Sequence, residues 1–189
     1  MSTFQDEIKN CVTTLAKGGL ILYPTDTVWG LGCDATNENA VKNIYALKQR
    51  EDSKALICLV SSQAMLERHV KQVPEVAYDI MDFATKPTTL IYDKPMGVAK
   101  NLVAEDNSLA IRVASDKFCK YLITNFGKPI VSTSANISGF PTPDGFESID
   151  PKILKGVDYA VNLQRTKKMT TPSSIIKLGN DGTVQVIRS

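Results

Sequence analysis

The chain contains one histidine, one tryptophan and four cysteines among 189 residues. The only histidine, His69, lies in the polar stretch Leu66-Glu67-Arg68-His69-Val70 and reads as a surface helix residue. Unless His69 itself takes part, any chemistry proceeds without a histidine base or triad, and a zinc site would lack partners. Cys11, Cys33, Cys58 and Cys119 form no Cys-x-x-Cys pair and read as buried free thiols. No apolar run approaches membrane length, and no basic-then-apolar leader opens the chain, so a cytoplasmic protein is expected. A net charge of +2 is too small to argue by itself for nucleic-acid binding. Neither a Walker loop nor a Gly-x-Gly-x-x-Gly turn occurs, so a nucleotide would need another cradle. Internal repeats, low-complexity tracts and linkers are also missing, and residues 1–189 read as a single domain. Hydrophobic content of 43% and charged content of 22% are ordinary for a globular chain that can fill a core.

Two polar, glycine-bearing strings stand out against that background. They are Tyr23-Pro24-Thr25-Asp26-Thr27-Val28-Trp29-Gly30-Leu31-Gly32 and Ser132-Thr133-Ser134-Ala135-Asn136-Ile137-Ser138-Gly139. Each follows an apolar run that reads as a buried strand, Leu20–Leu22 and Pro129–Val131. Hydroxyls and glycines at a strand end let backbone amides and side chains approach an anion. Between the strings lie the cations Lys48, Arg50 and Lys54. They fit a solvated helix terminus, because cations favour helix C-termini. The segment nevertheless runs into an apolar strand, where Arg50 could fork two phosphate oxygens and Lys48 act as a mobile charge. The combination favours an anion site over two turns and a solvated helix end.

Periodicity predicts a first helix through Phe4, Ile8, Cys11, Val12 and Leu15, capped by Ser2 or Thr3 and stopped by Gly18-Gly19. A strand over Leu20–Pro24 follows. A second helix starts at Asn37 or Asn39, with Val41, Ile44, Tyr45 and Lys48 on roughly one face. Strands are expected over Ala55–Val60, Thr89–Tyr92, Leu109–Val113, Pro129–Thr133, Tyr159–Leu163, Ser174–Leu178 and Thr183–Ile187. Helices are expected over Gln63–Lys71, Val76–Phe83 and Lys117–Asn125. Gly179-Asn180-Asp181-Gly182 marks a hairpin, so the sheet cannot be purely parallel. The expected class is α+β, a twisted mixed sheet with flanking helices. Arg112 occupies a polar position in the apolar strand Leu109–Val113 and must meet an internal carboxylate or a ligand's. Ser173 precedes the penultimate strand as a possible donor, and Arg188, near the end of the last strand, reads as solvent-exposed.

The two strings, with Lys48-Gln49-Arg50, Leu109-Ala110-Ile111-Arg112 and Pro172-Ser173-Ser174-Ile175, resemble the YrdC-type L-threonylcarbamoyladenylate synthases from about Gly18 to Arg188. The resemblance implies a helix-flanked mixed sheet around a concave basic cleft. It also implies synthesis of threonylcarbamoyl-AMP and pyrophosphate from L-threonine, bicarbonate and ATP, with Mg²⁺. Transfer proteins of the tRNA modification pathway would use the product, and the family has a link to double-stranded RNA. By motif position, Lys48, Arg50, Ser134 and Asn136 would hold ATP phosphates, and Lys54, Ser108, Thr142 and Arg188 would add nucleotide contacts. Thr27, Arg112, Ser132 and Ser173 would surround threonine, with Arg112 on its carboxylate. No metal ligand is implied among the side chains. The chain departs from the family pattern at Asp26 (commonly Glu), Trp29 (commonly Tyr), Glu51 (commonly Pro), Leu59 (His in several relatives), the segment Ala84–Thr89 and Lys177 (frequently Asp). Those changes bear on the cleft wall and threonine selectivity and leave the phosphate set intact. Two rivals stand beside the synthase: an RNA-binding module, and a YciO-like paralogue with weakened synthase chemistry.

Overall fold

In a computed structural model of the chain, residues 3–50 and 56–189 are described. A capping box closes the start of α1 (Phe4–Ala16), where Thr3 and Asp6 satisfy each other's backbone amides. The chain then makes a tight antiparallel pair, β1 (Ile21–Pro24) and β2 (Trp29–Gly32). Helix α2 (Glu38–Lys48) begins under Asn37, whose side chain accepts from the Asn39 and Ala40 amides. It ends at Gln49, held in the left-handed region at φ 51°. That cap turns the chain sharply, so Lys48 is buried and Arg50 is delivered to the loop beyond.

Strand β3 (Ile57–Val60), short α3 (Gln63–Glu67), α4 (Glu75–Phe83), β4 (Thr88–Asp93) and β5 (Ser108–Val113) follow. After them come α5 (Lys117–Phe126), β6 (Ile130–Ser134), α6 (Pro151–Gly156), two-residue β7 (Tyr159–Ala160), β8 (Ser174–Leu178) and β9 (Val184–Arg188). The nine strands among the described residues form one mixed sheet in the order β7-β1-β2-β6-β3-β5-β4-β8-β9. The pairs β1/β7, β3/β5 and β4/β8 run parallel, and the β8/β9 hairpin is antiparallel.

Register explains how the sheet divides its labour. Gly30 sits opposite Ser134, Ile57 opposite both Ser132 and Ala110, and Ile91 opposite Ala110. Partners in register share a face, and strand side chains alternate. One face therefore carries Gly30, Ser132, Ser134, Ile57, Ala110, Arg112, Ile91 and Ile175, all of which line one cavity. Leu31, Cys58, Val60, Leu90, Tyr92, Ile111 and Val131 are buried in the core, and α3 and α5 pack on β3.

Several boundaries differ from the sequence reading. Trp29–Gly32 is a strand where the sequence reading placed none, and α6 was not anticipated. The expected strand Tyr159–Leu163 shrinks to two residues, and the helix expected over Gln63–Lys71 ends at Glu67. His69 lies in the turn beyond, half-buried, with Nδ1 3.1 Å from the Met96 carbonyl. Ser2 and Ala55 lie outside the described residues. All four cysteines are buried and free, and burial pushes the Cys11 and Cys58 thiols up to about 12. Neither can serve as a thiolate nucleophile near neutral pH.

Gly32 needs its missing side chain for packing. A Cβ there would lie 2.7 Å from Tyr23 Cε1 and 2.8 Å from the Val131 carbonyl oxygen. We expect Gly32→Ala to destabilise the fold by about 1–3 kcal/mol through overpacking. Urea denaturation measures this, and an unchanged midpoint would show that β1 and β6 yield freely.

Candidate active site

The cavity on the polar face of the sheet measures about 590 Å³. Its wall holds the guanidinium-bearing residues Arg50, Arg112 and Arg188, and a single carboxylate residue among the described ones, Asp144. Thr27, Ser132, Ser134, Thr142 and Ser173 add hydroxyls. The wall is thus cationic and rich in donors, suited to anionic and polar ligands.

The β1–β2 turn prepares Thr27. Thr25 Oγ1 accepts from the amides of Thr27 and Val28 at 3.0 and 3.2 Å and donates to the Val28 carbonyl at 2.8 Å. The Thr25 and Thr27 hydroxyl oxygens also lie 3.0 Å apart. Thr27 Oγ1 in turn faces Arg112 Nη2 at 3.5 Å. Of the two acceptors its sequence position allowed, Arg112 meets an internal carboxylate: Asp26 Oδ1 lies 2.9 Å from Nη2. The Arg112 Nε, buried, has no hydrogen-bond partner among the described residues. Such a donor is costly unless a ligand meets it.

Ser173 is positioned by two neighbours. Its hydroxyl lies 2.9 Å from buried Thr89 Oγ1, and its carbonyl accepts from Arg188 Nε and Nη2 at 2.9 and 2.7 Å. Arg188 is exposed, as its place in the chain suggested, yet it is anchored and forms part of the wall.

Three candidates turn out differently from expectation. Lys48 is 1% exposed and absent from the wall. Its Nζ donates to the carbonyls of Ser134 and Asn136 and to Asn136 Oδ1, while its own carbonyl accepts from the Ser138 amide. Lysine and loop are clamped together, and the ammonium's protons are spent on the protein. Asn136 is equally committed: its amide nitrogen donates to the Ile137 and Phe140 carbonyls, and its oxygen accepts from Ser134 Oγ. It borders a shallower neighbouring pocket instead. Ser108 shares the polar face by strand alternation, but its hydroxyl donates to Asp106, which also pairs with Lys177. Lys54 lies outside the described residues.

Sequence reasoning passed over Thr25 and Asp144. Thr25 stood inside the first string, where its spacing to Thr27 and Val28 is that of a hydroxyl-stabilised turn. Asp144 gave no local signal. Its backbone oxygen accepts from the Met169 amide at 2.8 Å and its carboxylate pairs with Lys168, so it ties down a strap whose Met169, Thr170 and Pro172 edge the cavity. Upstream, Arg165 donates to the Val161 and Ala160 carbonyls and stacks on Phe146, 4.2 Å from its ring centre.

Burial and the Arg50 charge push the Lys48 ammonium down to about 7 from an ordinary 10.5. The cost of keeping it charged in the fold is fully present below about pH 7 and is relieved as pH rises toward 10.5. Lys48→Met leaves two carbonyls without their donor and should cost about 1–3 kcal/mol at pH 7, with faster amide exchange over residues 136–140. The stability gap between wild type and variant should widen from pH 7 to pH 10. A gap independent of pH would show that the buried amine does not titrate in this range.

The Sua5/YciO/YrdC family model, described as "Telomere recombination", matches residues 13–189. A threonylcarbamoyl-AMP synthase of Pseudoalteromonas translucida is 34% identical over 90% of this chain and 92% of its own length. A putative threonylcarbamoyl-AMP synthase of Methanocaldococcus jannaschii is 33% identical over 96% of this chain and 87% of its own. Among solved structures, P. abyssi Sua5 complexed with L-threonine superposes with a TM-score of 0.82 at 28% identity, over 94% of this chain. This chain spans 52% of that one. E. coli YciO superposes at 0.83 with 26% identity, covering all of this chain and 91% of its own.

Proposed function

Since the chain belongs to the Sua5/YciO/YrdC family, we propose that it is a threonylcarbamoyl-AMP synthase, joining L-threonine, bicarbonate and ATP and releasing pyrophosphate. The observation that carries this reading is the content of one cavity. A buried guanidinium with an unpartnered Nε stands beside Thr27, and the same wall holds Arg50, Arg188, Ser134 and Thr142. An amino acid's carboxylate and a triphosphate's oxygens both find donors there.

In this reading Arg112, Thr27, Ser132 and Ser173 receive threonine. Arg50 takes phosphate oxygens, helped by Ser134, Thr142 and Arg188. Lys48 and Asn136 act first by shaping the Ser134–Phe140 loop that presents Ser134. The threonine amine adds to bicarbonate with loss of water, giving a carbamate. A carbamate oxygen then attacks the α-phosphorus, and the bond to pyrophosphate breaks. Negative charge grows on the leaving oxygens, so fixed cations and alignment can lower the barrier without a protein nucleophile. Mg²⁺ belongs with the nucleotide substrate here. Among the described residues no group of three His, Cys, Asp or Glu gathers to hold a metal, and Asp144 is already paired with Lys168. The product would pass to threonylcarbamoyl-transferring proteins acting on tRNA, in the cytoplasm.

The likeness to YciO favours one second reading, a paralogue that keeps the fold and has lost the synthase reaction. Pyrophosphate release from ATP separates the two. Release should need L-threonine and bicarbonate together, and equal turnover without an amino acid would leave only an ATPase. Arg50→Ala should lose about 2–4 kcal/mol of transition-state stabilisation, read as kcat/KM for ATP. Normal kinetics in that variant would place the triphosphate elsewhere. Ser134→Ala should lower ATP affinity and leave binding of double-stranded RNA unchanged, since diffuse phosphate contacts dominate RNA affinity. The reverse pattern would favour an RNA-binding module.

A further inference from the structure

Asp26 does not line the cavity, yet it holds the residue on which amino-acid recognition turns. The Asp26 and Arg112 side chains are only 9% and 5% exposed, with Oδ1 2.9 Å from Nη2. The other carboxylate oxygen accepts from Ser115 Oγ at 2.7 Å. Ser115 follows β5 by two residues, so the strand that carries Arg112 also reaches round to grip its acid. Thr27, next in the chain to Asp26, meets the same Nη2 at 3.5 Å. One terminal nitrogen is therefore held between two residues, ion-paired to Asp26 and hydrogen-bonded to Thr27, with Ser115 bracing the acid, and Nε is left as a buried donor with no partner among the described residues.

A guanidinium is a rigid planar fork, so two contacts on one nitrogen, together with the tether of its own side chain, restrict where its other N–H bonds can point. Pairing also cancels the net charge of the buried group. Attraction for a second carboxylate must then come from aimed hydrogen bonds rather than bulk charge, which makes the aim decisive. We infer that Asp26, braced by Ser115, is a positioning residue that points the Arg112 fork at the carboxylate of the amino-acid substrate. This rests on the amino-acid-binding reading of the cavity. A lone buried guanidinium would accept anions from many directions, whereas the Asp26-held fork accepts a carboxylate only in its own plane.

The test compares Asp26→Asn, Asp26→Glu and Ser115→Ala, varying threonine and ATP separately in the pyrophosphate assay. In parallel, the Arg112 Nε–H signal is followed by ¹H–¹⁵N correlation, assigned with Arg112→Lys. Asp26→Asn should raise the threonine KM about tenfold to a hundredfold, the scale of a misaligned contact, with the ATP KM held within about twofold. Asp26→Glu should recover part of the loss, and Ser115→Ala should shift the same constant less. The Nε–H signal should be sharp in wild type and broadened in Asp26→Asn. An unchanged threonine KM, or threonine and ATP constants rising together, overturns the inference. Should Asp26→Asn fail to fold, Asp26→Glu and Ser115→Ala decide by the same constants. If wild type shows no threonine-dependent release, the functional reading falls, and the Nε–H signal alone judges Asp26: a signal unaffected by the substitution refutes its positioning role.

Discussion

The Arg112–Asp26 ion pair is the constraint around which the cavity is arranged. A guanidinium between sheet strands, nearly free of water, must be paired or it destabilises the fold by several kcal/mol. Its partner comes from the β1–β2 turn, which brings Thr25 and Thr27 to the same place. Ser115 closes the arrangement from the far end of β5. Two segments far apart in sequence are thus joined at one buried charge, and the turn that positions Thr27 is held against the centre of the sheet. Satisfying Arg112 is both a folding requirement and a way of building a recognition surface.

A second tie acts in the same manner beneath the Ser134–Phe140 loop. The left-handed cap at Gln49 buries Lys48 under the Ser134–Phe140 loop, where its ammonium serves two carbonyls and an amide oxygen. Arg50, two residues on, is left on the cavity side. Adjacent cations in one short motif therefore take different parts. One organises backbone and the other faces the ligand space, the difference being the turn between them.

Much of this was legible in the sequence, but unevenly. The amphipathic faces of α1 and α2, the helical span of α5, the Gly179–Gly182 hairpin and the need of Arg112 for a carboxylate, internal or a ligand's, all followed from spacing and burial logic. Strand β2 did not, because two glycines in four residues erase the usual strand signal. The structure gives Gly32 a packing reason, with Tyr23 and the Val131 carbonyl filling the space of a side chain. Helix α6 is too short for a periodic pattern. The choice of Asp26 as the partner of Arg112 and the commitment of Asn136 to its own loop depend on contacts that local pattern does not encode. The site roles came from the resemblance; the structure brings Thr27, Arg112, Ser132 and Ser173 together with Arg50, Ser134, Thr142 and Arg188 and sets Lys48, Asn136 and Ser108 back from the wall.

The cavity lining draws on seven strands, and ties around it span long stretches of chain: Thr27 to Arg112 across 85 residues, Lys48 to Ser134 across 86 and Thr89 to Ser173 across 84. No short stretch of the chain holds such a site by itself. Pairings of that separation are slow to form, because loop closure must be met before the contacts reward it. Ligand competence therefore depends on these distant pairings being made together, those of β8 and β9 included. The coupling also runs backward: a ligand seated among these side chains favours the assembled sheet by mass action. Substrate supply and the lifetime of the folded chain become linked quantities, so that in a starved cell the empty protein would be the more readily unfolded and degraded form.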